Sequence, residues 1–279
     1  MHKDILLGKE TEYKAEYDAS LIFPIAREQN REKLTMPENR VNGDLPFYGV
    51  DIWTGFEISW LNQKGKPQVY IAEFMIPCES KSIVESKSFK LYLNSFNQTK
   101  FDSISQVQAI METDLSKGFG GEVKVTFFDV LDYPLNQNNL GENIDHLDVE
   151  ANDYKPNAAL LSLDADQAGS VVEETLNSHL LKSNCPVTNQ PDWATLIIHY
   201  KGSKLNREAL LKYIISYRDH DDFHEHCAEQ IFCDLYNLGE FELLTVSARY
   251  TRRGGLDINP TRSLVQVNSE QLIGRLARQ

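Results

Sequence analysis

Long apolar stretches are missing from this sequence. No segment approaches the roughly eighteen consecutive apolar residues that a membrane-spanning helix needs. The start, MHKDILLGKETEYKAEYD, soon turns acidic and lacks the apolar core of a secretory signal. We therefore expect no membrane partner and a location in the cytoplasm.

Cysteine and positive charge are also scarce. The four cysteines, at positions 78, 185, 227 and 233, are too few for a disulfide scaffold in a chain of 279 residues, so we expect reduced thiols. The 28 lysines and arginines stand against 41 aspartates and glutamates, which gives a formal net charge of −13. Because phosphate neutralisation dominates nucleic-acid affinity, this balance argues against a large nucleic-acid interface and leaves room for a small basic pocket.

The order of predicted elements repeats in the two halves of the chain. In the first half, a hairpin that includes QVYIAEFMIP (68–77) precedes two helices and the strand GEVKVTFFDVL (121–131). In the second half, EETLNSHLLKS and WATLIIHY precede two helices and the strand FELLTVSARY (241–250). The pattern of EETLNSHLLKS would also suit a helix. We predict an α+β protein with two tandem β-β-α-α-β-β modules, in which helices cover one face of antiparallel sheets.

The repeat divides the chain into four predicted segments. Residues 1–45 match neither module and are expected to pack as an N-terminal extension. Residues 46–132 form the first module and 171–279 the second. The polar, turn-rich residues 133–170 form the linker between them.

The stretch NCPVTNQPDW (184–193) places Cys185 in a polar turn bracketed by prolines, with Asp192 seven residues later. A cysteine usually packs as a small hydrophobe unless its reactivity matters, and these neighbours are unusual for a core. A reactive thiolate needs a nearby base or positive group, which the sequence does not identify. Two interpretations stay open. Cys185 is a nucleophile with Asp192 as its acid, or it is inert and Asp192 caps a turn or begins the next strand.

The segment ESKSFKLYLNSF (85–96) contains a helix start. In the ordinary interpretation Ser86 is the N-cap and its polar neighbours face solvent. In the functional interpretation Glu85 accepts hydrogen bonds from a ligand's N–H groups. Ser86 and Lys87 would then meet phosphate, because helix starts favour anions.

Three of the seven histidines lie in DHDDFHEHCAEQIFC (219–233). His224 and His226 are two residues apart and face different sides of a helix, whereas ligands on one helix favour a spacing of three or four. A zinc site that joins His224 to His220 or Cys227 stays open, as does a solvated polar helix start. The third interpretation is a ligand pocket lined by Phe223, His224 and Glu225.

The segment ARYTRRGGLDINPTRS (248–263) concentrates four arginines, at positions 249, 252, 253 and 262, in an otherwise acidic chain. Arginines on the surface of a hairpin are common. The sequence Arg-Arg-Gly-Gly, however, lets guanidinium groups and bare backbone approach an anion together. The segment therefore favours either a solvated hairpin or a site for a phosphorylated cofactor.

Together these stretches resemble the family of NADPH-dependent 7-cyano-7-deazaguanine reductases, the nitrile reductases of queuosine biosynthesis, in their long two-module form. ESKSFKLYLNSFN is similar to the family signature, and NCPVTNQPDW to its catalytic segment. DFHEHC is similar to its substrate-binding pair, and YTRRGGLDINP to its nucleotide-contact segment. The resemblance covers roughly residues 45–130 and 170–279. Pro186 departs from the pattern, which has an aliphatic residue there.

The resemblance implies the tunnelling fold and a homodimer that acts on a small 7-deazaguanine, without direct nucleic-acid contact. It implies that Cys185 attacks the nitrile carbon while Asp192 protonates the nitrogen, which gives a covalent thioimide. Two NADPH per turnover would complete the reduction to the aminomethyl product, and no metal is expected. Implied substrate contacts are Ile83, Val84, Glu85, Phe223, His224 and Glu225; implied cofactor contacts are Ser86, Lys87, Arg253 and Gly254.

Two other functions stay open. A zinc-dependent cyclohydrolase of the same broad fold would act on a purine-like ring through His and Cys ligands, and metal analysis separates it from the reductase. A non-catalytic purine-binding module would keep Glu85 and the His224–Glu225 pair. Such a module would consume no NADPH and would bind its ligand equally well after Cys185→Ala.

Overall fold

The computed structural model describes residues 14–135, 140–167, 169–268, 272 and 274–279. The chain divides into two compact units. The first comprises residues 1–32, 51–135 and 252–258, and the second comprises 33–50, 136–251 and 259–279. Parts of the predicted extension (1–13), linker (136–139 and 168) and second module (269–271 and 273) lie outside the described residues. The predicted boundaries at 45, 132 and 170 stay predictions.

The first half of the chain forms a three-stranded sheet, two long helices and a short strand pair. The sheet order is β5-β3-β2, β3 and β5 run antiparallel, and β1 pairs antiparallel with β4. The elements are β1 (Pro24–Ala26), α1 (Glu28–Arg31), β2 (Tyr48–Leu61), β3 (Pro67–Pro77), β4 (Ser82–Val84), α2 (Ser86–Ser95), α3 (Ile104–Phe119) and β5 (Lys124–Phe128).

Aromatic side chains join the helices of the first unit to its sheet. The ring of Phe89 on α2 meets Trp53 with centroids 4.9 Å apart and Phe74 with centroids 5.1 Å apart, both edge to face. Trp53 also meets Phe119 of α3 at 5.5 Å. All four side chains are buried. Such edge-to-face contacts add to the free energy gained from burying apolar surface, so this cluster fixes α2 and α3 on the sheet.

The second half of the chain forms a longer sheet with two helices. Its order is β10-β9-β8-β7-β6, antiparallel except for the parallel β6–β7 pair. The elements are β6 (Glu142–Asn143), β7 (Val171–Asn184), β8 (Pro191–Ser203), α4 (Arg207–Ile215), α5 (His224–Tyr236), β9 (Phe241–Tyr250) and β10 (Leu256–Ser263).

The predicted α+β class and its twofold repeat are confirmed. From β7 to β10 the order is β-β-α-α-β-β, and EETLNSHLLKS is a strand rather than a helix. In the first half, the short β4 precedes the helices and one strand, β5, follows them within the described residues. Within the predicted linker, Asp145 accepts hydrogen bonds from Ser178 Oγ at 2.6 Å and from the His179 N–H at 2.8 Å. None of the helices in the described part of the chain is long and apolar enough to span a membrane.

Replacing Phe89 by alanine is expected to lower the free energy of unfolding by about 3–5 kcal/mol, because the lost ring leaves a cavity beside Trp53 and Phe74. Leu131, whose side chain is 91% exposed, provides the control, and Leu131→Ala is expected to change stability by less than about 0.5 kcal/mol. Urea unfolding followed by tryptophan fluorescence measures both. Equal shifts for the two variants would contradict the packing described here.

Candidate active site

Cys185 directly follows β7, in the turn that leads to β8. Its N–H donates to the Gln190 carbonyl and its own carbonyl accepts from the Asn189 N–H, both at 2.9 Å. Asn189 has a φ of 55°, a left-handed conformation that asparagine tolerates better than most residues. The cysteine is only 6% exposed. The polar sequence neighbours therefore place Cys185 correctly in a turn, but the turn folds its thiol inward.

Asp192 and His224 meet at the same end of the second unit. Asp192 is the second residue of β8, opposite Ser183 of β7, and is 3% exposed. Its Oδ2 lies 3.2 Å from Nε2 of His224, the first residue of α5. The imidazole also stacks on the Tyr250 ring of β9, with centroids 3.7 Å apart and planes 4° apart. Three elements thus hold the imidazole between a carboxylate and a phenol ring.

This arrangement provides a thiol and a proton-carrying pair on neighbouring elements. A carboxyl group in contact with an imidazole can hold a proton and release it toward a reacting atom. His224 Nδ1 is buried and has no hydrogen-bond partner among the described residues, so this atom is available to a ligand. Asp192 lies at the start of β8, which agrees with the interpretation that it belongs to the next strand. It also contacts His224, with which a carboxyl group can exchange a proton.

The two histidines of α5 serve different contacts, as their spacing predicts. His226 Nδ1 contacts Asp222 Oδ2, while His224 contacts Asp192. Burial acts to raise the pKa of Asp222, but its contacts with His220 and His226 outweigh burial and hold the pKa of Asp222 well below its usual value. No group of three or more His, Cys, Asp or Glu side chains in the described part of the chain is arranged to hold a metal ion; the expected absence of a metal stays a prediction.

Cys227, one turn into α5, differs from Cys185 in its surroundings. Burial raises the pKa of the Cys227 thiol well above its ordinary value, and the charge of Asp222 acts in the same direction. With this raised pKa, Cys227 stays a neutral thiol at physiological pH. Because attack requires a thiolate, Cys227 is a poor alternative nucleophile.

In the first unit, Glu85 is itself the N-cap of α2. Its Oε1 accepts from the Lys87 N–H at 2.8 Å and its Oε2 from the Ser88 N–H at 2.7 Å. The ordinary interpretation, with Ser86 as the cap, is wrong, because Glu85 keeps an extended backbone (ψ 126°) and Ser86 is already helical. Each carboxylate oxygen has a second lone pair, which leaves Glu85 capacity to accept from a ligand although it is only 1% exposed.

Ile83 and Val84 lie in β4, just before this cap. Ile83 pairs with Ile25 of β1, and Val84 belongs to the core cluster that includes Phe89. Both side chains are buried. Their contacts within the unit hold the chain that enters α2 and so fix the position of Glu85.

A tight turn at Gly254 and Gly255 carries the predicted cofactor segment. The two glycines have φ values of 59° and 77°, which favour glycine because a side chain is strained there. Arg253 and Leu256 exchange backbone hydrogen bonds across the turn. Gly254 lies beside Lys90 of α2, since a Cβ added to the glycine would stand 3.6 Å from the lysine Cδ. Bare backbone and cationic side chains therefore come together here.

Two of the four arginines in 248–263 have other partners. Arg262 donates to Glu229 Oε1 at 2.8 Å and lies over the Phe47 ring, and it is fully buried. Arg249 donates to the carbonyl groups of Leu272 and Gly274. Arg249 and Arg262 therefore do not contribute to an anion site, because their guanidinium groups are bound inside the second unit.

Sequence reasoning missed two residues of these sites. Lys90 lies four residues after Ser86, and this spacing puts both residues on one face of α2. The spacing could therefore have predicted that Lys90 lies near the cofactor segment. Tyr250 carries no local signal, because its contact with His224 depends on how β9 lies beside α5. Its ring is fully buried, so its stacking holds the imidazole in one orientation.

Asp222→Asn is expected to cost stability mainly above pH about 4. A carboxylate whose folded-state pKa is lowered stabilises the fold above its ordinary pKa of 3.8, and this contribution is lost as the pH falls through the lower folded-state value. The difference in unfolding free energy between wild type and variant should therefore shrink below pH 4. Urea unfolding from pH 3 to 7 measures it, and a difference that grows on acidification would contradict the contacts of Asp222.

Comparison with known proteins places the chain in a family. The family described as "Nitrile reductase, 7-cyano-7-deazaguanine-reductase N-term" matches residues 13–127, and the one described as "QueF-like protein" matches residues 191–269. An NADPH-dependent 7-cyano-7-deazaguanine reductase from Cupriavidus metallidurans is 54% identical over 92% of this chain and 92% of its own length. A relative of the same name from Hydrogenovibrio crunogenus is 51% identical over 98% of this chain and 96% of its own. The chain therefore belongs to the family of NADPH-dependent 7-cyano-7-deazaguanine reductases, which are oxidoreductases of the tunnelling fold.

Proposed function

We propose that this chain reduces the nitrile of 7-cyano-7-deazaguanine to the aminomethyl product through a covalent thioimide on Cys185, with two NADPH per turnover. One observation carries the proposal. At one end of the second unit, Cys185 directly follows β7, and Asp192 Oδ2 lies 3.2 Å from His224 Nε2. The names of the relatives support the substrate and the reductant. The residue roles are those that the resemblance of the sequence motifs to this family implies.

Atoms and protons balance in the addition step, which uses only the substrate and groups of this chain. The Cys185 sulfur forms a bond to the nitrile carbon, one C–N π bond is lost, and the nitrogen gains a proton from Asp192. The proton that Cys185 loses can return to Asp192 through His224, which touches the carboxylate. Thiol and nitrile thus become a thioimide without net gain of protons. This attachment helps because a nitrile is a poor hydride acceptor and the C=N carbon of a thioimide is a better one.

NADPH, when bound, supplies hydride, and two hydrides with two protons balance the reduction of a nitrile to a primary amine. Ser86, Lys87, Arg253 and Gly254 would hold it. They fit a phosphorylated cofactor because the exposed Gly254 backbone lies beside Lys90. The first amides of α2 already bond to Glu85, so a phosphate at this helix would meet side chains rather than the helix terminus.

The proposed substrate contacts come from two stretches of the sequence. In the first unit, the second lone pairs of Glu85 would accept from the guanine-like N–H groups, with Ile83 and Val84 holding the entry to α2. In the second unit, His224 and Glu225 would bond to the remaining polar atoms. Phe223, directly before α5, would flank the planar ring.

The wider setting is also a proposal. We assign the chain to queuosine biosynthesis, a tRNA modification pathway, as a cytoplasmic homodimer that needs no metal and does not itself contact nucleic acid. None of the four cysteines forms a disulfide in the described part of the chain, which suits a reducing compartment. The net charge of −13 disfavours binding to a nucleic-acid backbone. The division at residues 45, 132 and 170 is likewise proposed.

Mixing the purified chain with 7-cyano-7-deazaguanine and NADPH tests the reaction. We expect two NADPH to be consumed per aminomethyl product, and Cys185→Ala to abolish turnover while the substrate still binds. Asp192→Asn should lower kcat by about 100-fold or more, because it removes a general acid. Cys233→Ala, a change of another buried cysteine near the far end of α5, should keep turnover within about twofold of wild type.

Several results would count against the proposal. A wild-type turnover rate in Cys185→Ala would contradict a thioimide on Cys185. Consumption of one NADPH per product would contradict a four-electron reduction. Stoichiometric zinc, with activity lost to a chelator, would favour the cyclohydrolase. Ligand binding without any NADPH consumption would favour the binding module.

A further inference from the structure

We propose that Asp222 is a positioning residue for this reaction, because it ties the first turn of α5, which carries His224, to the chain segment that carries Cys185. The inference rests on the proposed function, since it concerns the same site. Asp222 comes from the loop before α5, and no role for it follows from the sequence motifs.

The Asp222 carboxylate contacts three residues of the loop and the first turn of α5. Its Oδ1 accepts from the Phe223 N–H at 2.8 Å, next to His224. Its Oδ2 contacts Nδ1 of His226, one turn along α5, and lies 3.4 Å from Nε2 of His220 in the preceding loop. The side chain is only about one tenth exposed. One buried anion thus fixes the residues on both sides of His224 and Glu225.

The backbone of the same loop holds the end of β7. The Asp222 N–H donates to the Asn184 carbonyl at 3.2 Å, and the Asn184 N–H donates to the His220 carbonyl at 2.8 Å. The Asn184 side chain also donates to Asp221 Oδ1 at 3.0 Å. Cys185 is the next residue. We call the set of Asn184, His220, Asp222 and His226 the Asp222 clamp.

The helix start itself lacks the usual support. Phe223 is the N-cap of α5 and makes no side-chain capping hydrogen bond, although the first N–H groups of a helix need partners. Asp222 supplies a carboxylate at this terminus, where negative charge is favourable. Without the carboxylate, the first turn of α5 loses its contacts with the loop, and the loop whose backbone bonds to Asn184 is held less firmly beside Cys185. A displacement of about 1 Å between reacting groups can cost about 100-fold in rate.

A purely stabilising role is the competing explanation, and α5 offers a control for it. Asp234, near the other end of the helix, accepts a hydrogen bond from Tyr213 at 2.6 Å. Burial raises the pKa of Asp234 above its ordinary value. Asp234→Asn therefore perturbs a partly buried aspartate of the same helix, away from Cys185 and His224. Comparing it with Asp222→Asn separates loss of stability from loss of position.

The test measures hydrogen exchange and turnover in the full chain for wild type, Asp222→Asn and Asp234→Asn. Exchange by mass spectrometry reads peptides that cover 183–186 and 222–226. For Asp222→Asn we expect faster exchange in both peptides. We also expect a fall of tenfold or more in kcat/KM, and kcat itself should be lower than in wild type. For Asp234→Asn we expect exchange in these peptides and kcat within about twofold of wild type, even at an equal loss in Tm.

A double-mutant cycle adds a second readout. Because Asp222 acts partly through His226, the effects of Asp222→Asn and His226→Gln on kcat should be clearly less than additive. Unchanged exchange and unchanged kcat in Asp222→Asn, or equal losses of kcat in the two aspartate variants, would overturn the clamp. A wild-type chain that consumes no NADPH would instead refute the proposed function, and the exchange of the two peptides would still decide whether the clamp exists.

Discussion

The contact between Asp192 and His224 is the constraint on which the candidate site depends. A carboxyl group that is 3% exposed needs a partner, since a buried polar group without one is costly. His224 meets it at 3.2 Å, and the stacked Tyr250 ring restricts the imidazole to one plane. These contacts join β8, α5 and β9 at one end of the second unit. The same interaction links these three elements and forms the proton-carrying pair.

The two modules differ in how their matching helices are capped. In the second unit, α4 has Asn206 as its N-cap, and the Asn206 side chain accepts from the Ala209 N–H at 3.0 Å. Asparagine is a common N-cap. The matching helix of the first unit, α2, has Glu85 as its N-cap, and both carboxylate oxygens of Glu85 take part in capping. The two modules therefore cap the matching helix with side chains of different length and charge.

Much of the architecture could be predicted because its signals are local. FELLTVSARY predicts the strand β9, and the helical spacing of Phe89 and Phe96 predicts α2, whereas the pattern of β7 would also suit a helix. The face difference between His224 and His226 likewise follows from helical geometry. The N-cap at Glu85 was predicted one residue too late, because serine is the commoner cap and the sequence does not show which backbone is extended.

Contacts between distant parts of the chain could not be predicted. Cys185 looks exposed among polar neighbours, yet the turn to Gln190 and the packing around Asn184 bury it. Arg249 and Arg262 read as an anion site, but their partners, Leu272, Gly274 and Glu229, are far away in sequence. Tyr250 and Asp222 owe their importance to the same kind of long-range placement, which composition and spacing do not encode.

The most direct test of the account is an intact-mass spectrum of the chain after mixing with 7-cyano-7-deazaguanine in the absence of NADPH. The account predicts one equivalent of added substrate mass, located on the peptide that contains Cys185, absent in Cys185→Ala and lost when NADPH is added. Folded protein that binds the substrate but gains no mass, or gains it on Cys227, would contradict Cys185 as the nucleophile.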